Sequence, residues 1–123
     1  DSVALGSIDL DALNEIRQLD PSSGAIILRE IVVSYCASSS KLMLRLRSAV
    51  ADHNLQRVEQ LAHSLKGGSS QLGAILLATL CDDMIASARH NAPEQLIAQF
   101  ERAAVEHCAV LSGLDRALQN IAA

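Results

Sequence analysis

The 123-residue sequence predicts an all-α fold: an antiparallel four-helix bundle with an additional short N-terminal helix. Apolar residues recur three and four positions apart nearly throughout, and no segment alternates as a half-buried strand would. Half the residues are hydrophobic, yet there is one Phe, one Tyr and no Trp, so Leu, Ile, Val and Ala must fill the core. Turn signals divide the chain into helix-length segments joined by short connections, which makes sequential helices antiparallel neighbours. Residues 1–123 read as one domain, long enough to bury a core and too short for two.

A first short helix is predicted from about Asp9 to Leu19, with Leu10, Leu13 and Ile16 on one face. Asp20-Pro21-Ser22-Ser23-Gly24 ends it and offers capping groups to the next helix. The second spans residues 23–51 and carries Leu28, Val32, Tyr35, Ser39, Leu42, Leu46 and Ala49 as an inward seam. Ser38-Ser39-Ser40 interrupts that seam, and serine hydroxyls compete for backbone hydrogen bonds, so a kink or short break is expected there. Asp52-His53-Asn54 forms a turn, with Asn54 as N-cap of a third helix ending near Gly73. The fourth, residues 74–89, points Leu77, Leu80, Cys81, Met84 and Ala88 inward. His90-Asn91-Ala92-Pro93 stops it, and Pro93 suits the first turn of a fifth. That helix sets Ile97, Phe100, Ala104, His107, Leu111, Leu114, Leu118 and Ile121 at near-heptad spacing.

A net charge of −4 argues against nucleic acid, because phosphate-backbone binding needs clustered Lys and Arg. Cys36, Cys81 and Cys108 are odd in number and far apart, which fits buried free thiols in a reducing compartment. No C-x-x-C pair suggests zinc, and Asp82-Asp83 lacks the further oxygen ligands a hard cation requires, so no metal site is expected. No membrane-length apolar run or signal peptide is evident. The expectation is a cytoplasmic domain without direct membrane contact, with a membrane-anchored parent compatible with the start at Asp1.

The stretch 62–74, AHSLKGGSSQLGA, breaks the pattern by placing Gly67 and Gly68 inside a helix. On a wheel, Leu55, Val58, Leu61, Ala62, Leu65, Ser69 and Leu72 form the buried arc, and His63 lies about 150° from its centre. Around the outward His63 stand Glu59, Gln60, Lys66, Gly67 and Ser70. Each exposed glycine costs the helix about 1 kcal/mol relative to alanine. Gly68 lies nearer the packed side and permits close helix approach. Gly67 lies beside His63, where a missing side chain clears space around the imidazole. Lys66, one turn on, suits an anion delivered to the ring nitrogen. The plain alternative is a solvated face on a helix loosening toward its end.

The stretch resembles the signature of histidine-containing phosphotransfer (HPt) domains, matched at Ala62, His63, Leu65, Lys66, Gly67, Leu72, Gly73 and Ala74. The resemblance extends to the preceding long helix with its aromatic Tyr35 and to the two following helices, nearly the whole chain. It implies a phosphoryl carrier in a multistep two-component phosphorelay, free-standing or the last domain of a hybrid sensor histidine kinase. His63 would take a phosphoryl group from the aspartate of a response-regulator receiver domain and pass it to another. Lys66 would offset the charge and Gly67 would leave room for the receiver's loops. Glu59, Gln60, Ser64, Gly68, Ser70 and Gln71 would line the docking surface. No cofactor is expected on this domain; Mg2+ belongs to the receiver, which supplies most of the machinery. The domain is expected to be a monomer without kinase activity of its own. Some relatives place a glutamine on the neighbouring helix within reach of the histidine; gapless counting puts Ile85 there. Either another group such as Glu59 or a water then orients the ring, or no such group is needed.

His53 in a turn and His90 at a helix end read as structural, the latter favoured as a cation by the helix dipole. His107 reads as a satisfied, partly buried core histidine, and Glu101, Arg102, Glu106, Asp115 and Arg116 as a solvated face. Two other functions compete with the carrier. One is a helical interaction module that docks a partner through the face around His63. The other is an enzyme using His63 as general base, for which no nucleophile or orienting acid stands nearby in sequence.

Overall fold

Five helices account for nearly all of residues 7–122, the part of the chain that the computed structural model describes, with side chains through Asn120. They are α1 (Leu10–Gln18), α2 (Gly24–Ala51), α3 (Leu55–Gln71), α4 (Ile75–Arg89) and α5 (Pro93–Ala122), and no strand occurs among the described residues. α2, α3, α4 and α5 pack in sequence around a ring that closes between α5 and α2, while α1 lies against α2. This is the antiparallel four-helix bundle with an extra N-terminal helix that the aliphatic periodicity predicts.

The three connections inside the bundle share one device. Each has three residues, and the central one, His53, Gly73 or Asn91, takes a positive φ of 55°, 80° or 54°. The residue after it then donates back into the finished helix: Asn54 N–H to Ala49 O at 2.9 Å, Ala74 to Ser69 O at 2.8 Å, Ala92 to Ser87 O at 2.9 Å. These bonds satisfy carbonyls that a helix end otherwise leaves orphaned. Asn and Gly are the residues that enter this region most readily. Asn54 also caps α3, its side chain accepting from Arg57 N–H at 3.2 Å as expected. Only Gly73 needs the absence of a side chain as well, since a Cβ there would lie 2.7 Å from the Asp9 carbonyl oxygen. That approach is fixed by Asp9 N–H donating to Gly73 O at 2.8 Å, which ties the start of α1 to the α3–α4 turn.

The loop before α2 differs from expectation in one detail. Ser23 occupies the N-cap position, but its hydroxyl donates to Asp20 Oδ2 at 2.7 Å instead of accepting a helix N–H. Ser22 donates to Asp20 Oδ1 through both its N–H (3.0 Å) and its hydroxyl (2.8 Å). These bonds hold the Asp20 carboxyl at a pKa of about 2, since each favours the anion.

α2 runs unbroken through Ser38-Ser39-Ser40, so the expected kink is absent. Each hydroxyl has a partner that leaves the ladder intact. Ser38 and Ser40 bond back to Ser34 O and Cys36 O, both four residues earlier, at 2.8 and 2.7 Å. Ser39 is buried and meets His107 Nε2 of α5 at 2.8 Å. The inward seam of α2 uses Met43 where Leu42 was expected, with Leu42 only partly buried.

α5 shows a similar shift of stripe. Its buried line is Leu96, Phe100, Ala103, His107, Val110, Leu114 and Ala117, a strict alternation of four and three. Phe100, His107 and Leu114 belong to both this line and the predicted one, but Ile97 is 52% exposed. The small Ala103 and Ala117 face inward because they let neighbouring helices approach, which ranking by hydrophobicity alone overlooks. The predicted Ile121 side chain lies outside the described residues. Of the three thiols only Cys81 is fully buried; Cys36 is half-buried and Cys108 exposed. Burial pushes the Cys81 thiol up to about 12, which leaves it inert.

Candidate functional site

α3 keeps the predicted wheel. Val58, Leu61, Ala62, Leu65 and Ser69 are buried and His63 is exposed on the opposite side. The helix continues through both glycines, which the structure separates by role. A Cβ at Gly67 would meet nothing within 4 Å, so the surface beside the imidazole is open. A Cβ on Gly68 would touch the Tyr35 ring at 3.4 Å, so close approach of α2 explains that one. Tyr35 is anchored beneath by its hydroxyl, which pairs with buried Ser69 Oγ at 2.8 Å.

The partner of the His63 ring comes from α4. The Arg89 Nη2 lies 3.2 Å from His63 Nε2, while its Nε donates to Glu59 Oε2 at 2.9 Å. A guanidinium has donors only, so the contact is a hydrogen bond when Nε2 presents its lone pair and the proton sits on Nδ1. Ile85 is buried and reaches no polar group of the site, as its side chain dictates. Arg89 lies four residues further along α4, on the same helical face, and takes the position that counting assigned to Ile85. Glu59 orients the imidazole at one remove, through Arg89.

Lys66 is also engaged. Its Nζ lies 2.7 Å from Asp82 Oδ1 of α4, an ion pair with side chains 38% and 53% exposed. Asp82, considered in the sequence only as a metal ligand and set aside, is thus the partner of Lys66, and Arg89 was not singled out at all. Both were hidden because the α3–α4 register joins residues far apart in the chain. Gln60, Ser64, Ser70 and Gln71 are exposed. Gly68 and Gln71 line a groove with Ile27, Ile31 and Tyr35 between α2 and α3. Among the described residues no three His, Cys, Asp or Glu side chains converge to hold a metal ion.

The other histidines separate cleanly from this site. His53 occupies the α2–α3 turn, and His90 Nδ1 donates to Ala86 O at 2.7 Å, closing the end of α4. His107 is buried against Ser39 in the core, and burial holds its imidazole below the ordinary range.

A family model described as the Hpt domain matches residues 30–123, most of the chain. The chain belongs to the Hpt domain family. As an Hpt domain it is a phosphotransfer carrier of phosphorelays, and domains of this family interact with response-regulator receivers. Its fold is similar to the crystal structure of histidine-containing phosphotransfer protein B (HptB) from Pseudomonas aeruginosa PAO1. That likeness has a TM-score of 0.82 at 24% identity and covers 93% of this chain and 96% of the other. Comparison with curated protein sequences returns no match. The matched region takes in α3, α4, α5 and most of α2, and with them His63, Lys66, Gly67, Asp82 and Arg89. No helix among the described residues is long and apolar enough to cross a membrane.

Proposed function

We propose that His63 is the phosphoacceptor of this Hpt domain. The observation that carries this reading is the exposed imidazole whose Nε2 meets Arg89 at 3.2 Å, beside an unobstructed Gly67. In the transfer, the Nε2 lone pair forms a P–N bond as the P–O bond to a receiver's aspartate breaks. The aspartate leaves as carboxylate. The ring keeps its Nδ1 proton and bears the positive charge formed. The reverse step hands the phosphoryl group to the aspartate of a second receiver.

Arg89 moves off the lone pair before attack, and Lys66 and Arg89 are then the cations that meet the phosphoryl oxygens. Gly67 leaves room for the receiver's loops. Glu59, Gln60, Ser64, Gly68, Ser70 and Gln71 form the surrounding docking surface, continued by the α2–α3 groove. No cofactor is assigned to this domain. Mg2+ belongs to the receiver, where it neutralises charge during transfer. The setting is the cytoplasm, with the isolated domain a monomer.

The test is incubation with phosphorylated, labelled receivers of the same organism, comparing wild type with His63→Gln. Label is expected on wild type and absent from the variant. A wild-type chain left unlabelled by every receiver would overturn the reading, and a stable complex without transfer would assign the face to docking alone.

A further inference from the structure

Both ion pairs at the site cross the α3–α4 seam in opposite senses. α3 supplies Glu59 and Lys66, one on either side of His63, and α4 answers with Arg89 and Asp82. Two cations and two carboxylates therefore close into a set with no net charge. The Glu59–Arg89 pair reaches the exposed imidazole through Arg89 Nη2, and Lys66 of the other pair stands about one turn beyond His63 on α3.

We propose that Glu59 and Asp82 are positioning residues that stand in for phosphoryl oxygens. They hold Arg89 and Lys66 while His63 is free and release both when it is phosphorylated. The inference rests on His63 being the phosphoacceptor and adds a role for two carboxylates.

Charge matching supports the exchange. A phosphoryl group carries roughly −1.5 to −2 near neutral pH, which is what two cations offset. The pairs are partly solvated, with side chains 33–57% exposed, so each is weak enough to be traded. Geometry supports it at Arg89. Its Nε is on Glu59 while its Nη2 is on the His63 nitrogen that would form the P–N bond. Once that lone pair is used, Nη2 loses its acceptor, and the nearest replacement is an oxygen of the new group. The guanidinium fork can leave Glu59 in the same movement and grip phosphate with two donors. Lys66 makes the same choice as a point charge, between Asp82 and the phosphoryl group.

Removing either carboxylate destabilises the resting arrangement without weakening the phosphorylated one. Glu59→Gln and Asp82→Asn are each expected to shift the equilibrium with a transferring receiver roughly two- to fivefold toward phosphohistidine. The shift should vanish in Arg89→Gln and Lys66→Gln backgrounds respectively, because the carboxylate then has no cation to hold. A separate readout needs no phosphate. In 15N NMR of the resting protein, Glu59→Gln should reduce the population of the Nδ1–H tautomer of His63, since Arg89 is no longer aimed at Nε2. Unchanged equilibrium and tautomer ratios, or shifts that persist without the cation, would overturn the exchange. If no receiver labels wild type, the phosphoacceptor reading fails and the exchange with it. A tautomer shift would then still report the Glu59–Arg89 hold itself.

Discussion

At Gly67 helix propensity and access pull in opposite directions. The position is exposed, helical and empty to 4 Å, so alanine would fit and raise stability by about 0.5–1 kcal/mol through propensity alone. Glycine there makes sense when something else needs the space. Gly67→Ala is expected to raise the urea midpoint. Gly67→Gln is expected to keep the helical circular dichroism while slowing receiver-to-His63 transfer by roughly tenfold or more, since misplacement on the ångström scale is that costly. Undiminished transfer in the glutamine variant would sink the steric account. His63, Lys66 and Gly67 were legible because they share one helix, where a wheel fixes their relative directions. Arg89 and Asp82 were not. Which α4 residue faces His63 depends on how deeply two helices interdigitate, and one turn of slippage separates the silent Ile85 from the engaged Arg89.

Helix boundaries were largely readable because turn residues punctuate the chain at short range. Asn54 and Pro93 mark helix starts, and Gly73 and Asn91 sit where positive φ is needed. The Ser38–Ser40 run misled because the sequence shows that hydroxyls compete for the backbone but not that each finds a harmless partner. Gly73 carries the clearest expectation among the elements. Gly73→Ala would combine a φ of 80° with a Cβ 2.7 Å from Asp9 O. A loss of about 1–3 kcal/mol is expected in denaturant unfolding, from backbone strain together with displacement of the α1 tie. Gly73→Asn tolerates the dihedral better but meets the same carbonyl, so it should recover only part of the loss. Full stability in the asparagine variant would show that the approach of Asp9 is unimportant.

Across the whole bundle, α2 is fastened to its neighbours by two buried polar contacts, Tyr35–Ser69 toward α3 and Ser39–His107 toward α5. The second gives the fold a pH dependence. Burial lowers the folded-state His107 pKa below the unfolded value of about 6.5. Between the two values the unfolded chain binds more protons, so this contribution is complete above about pH 6.5 and is lost as pH falls toward the folded pKa. His107→Asn is expected to flatten that part of the stability–pH profile measured by urea unfolding. An unchanged slope would mean that His107 binds protons alike in the folded and the unfolded chain. The overall architecture was legible because aliphatic periodicity is a property of the chain itself. The α5 stripe was less so, since Ala103 faces the core for its smallness and not its hydrophobicity. Tyr35 has one more consequence. It is the only tyrosine in a chain without tryptophan, and its ring lines the groove between α2 and α3, 3.4 Å from where a side chain on Gly68 would begin. The domain thus carries a single tyrosine fluorophore at the proposed docking face. A partner's tryptophan brought within energy-transfer range would quench its emission and report binding with no label attached.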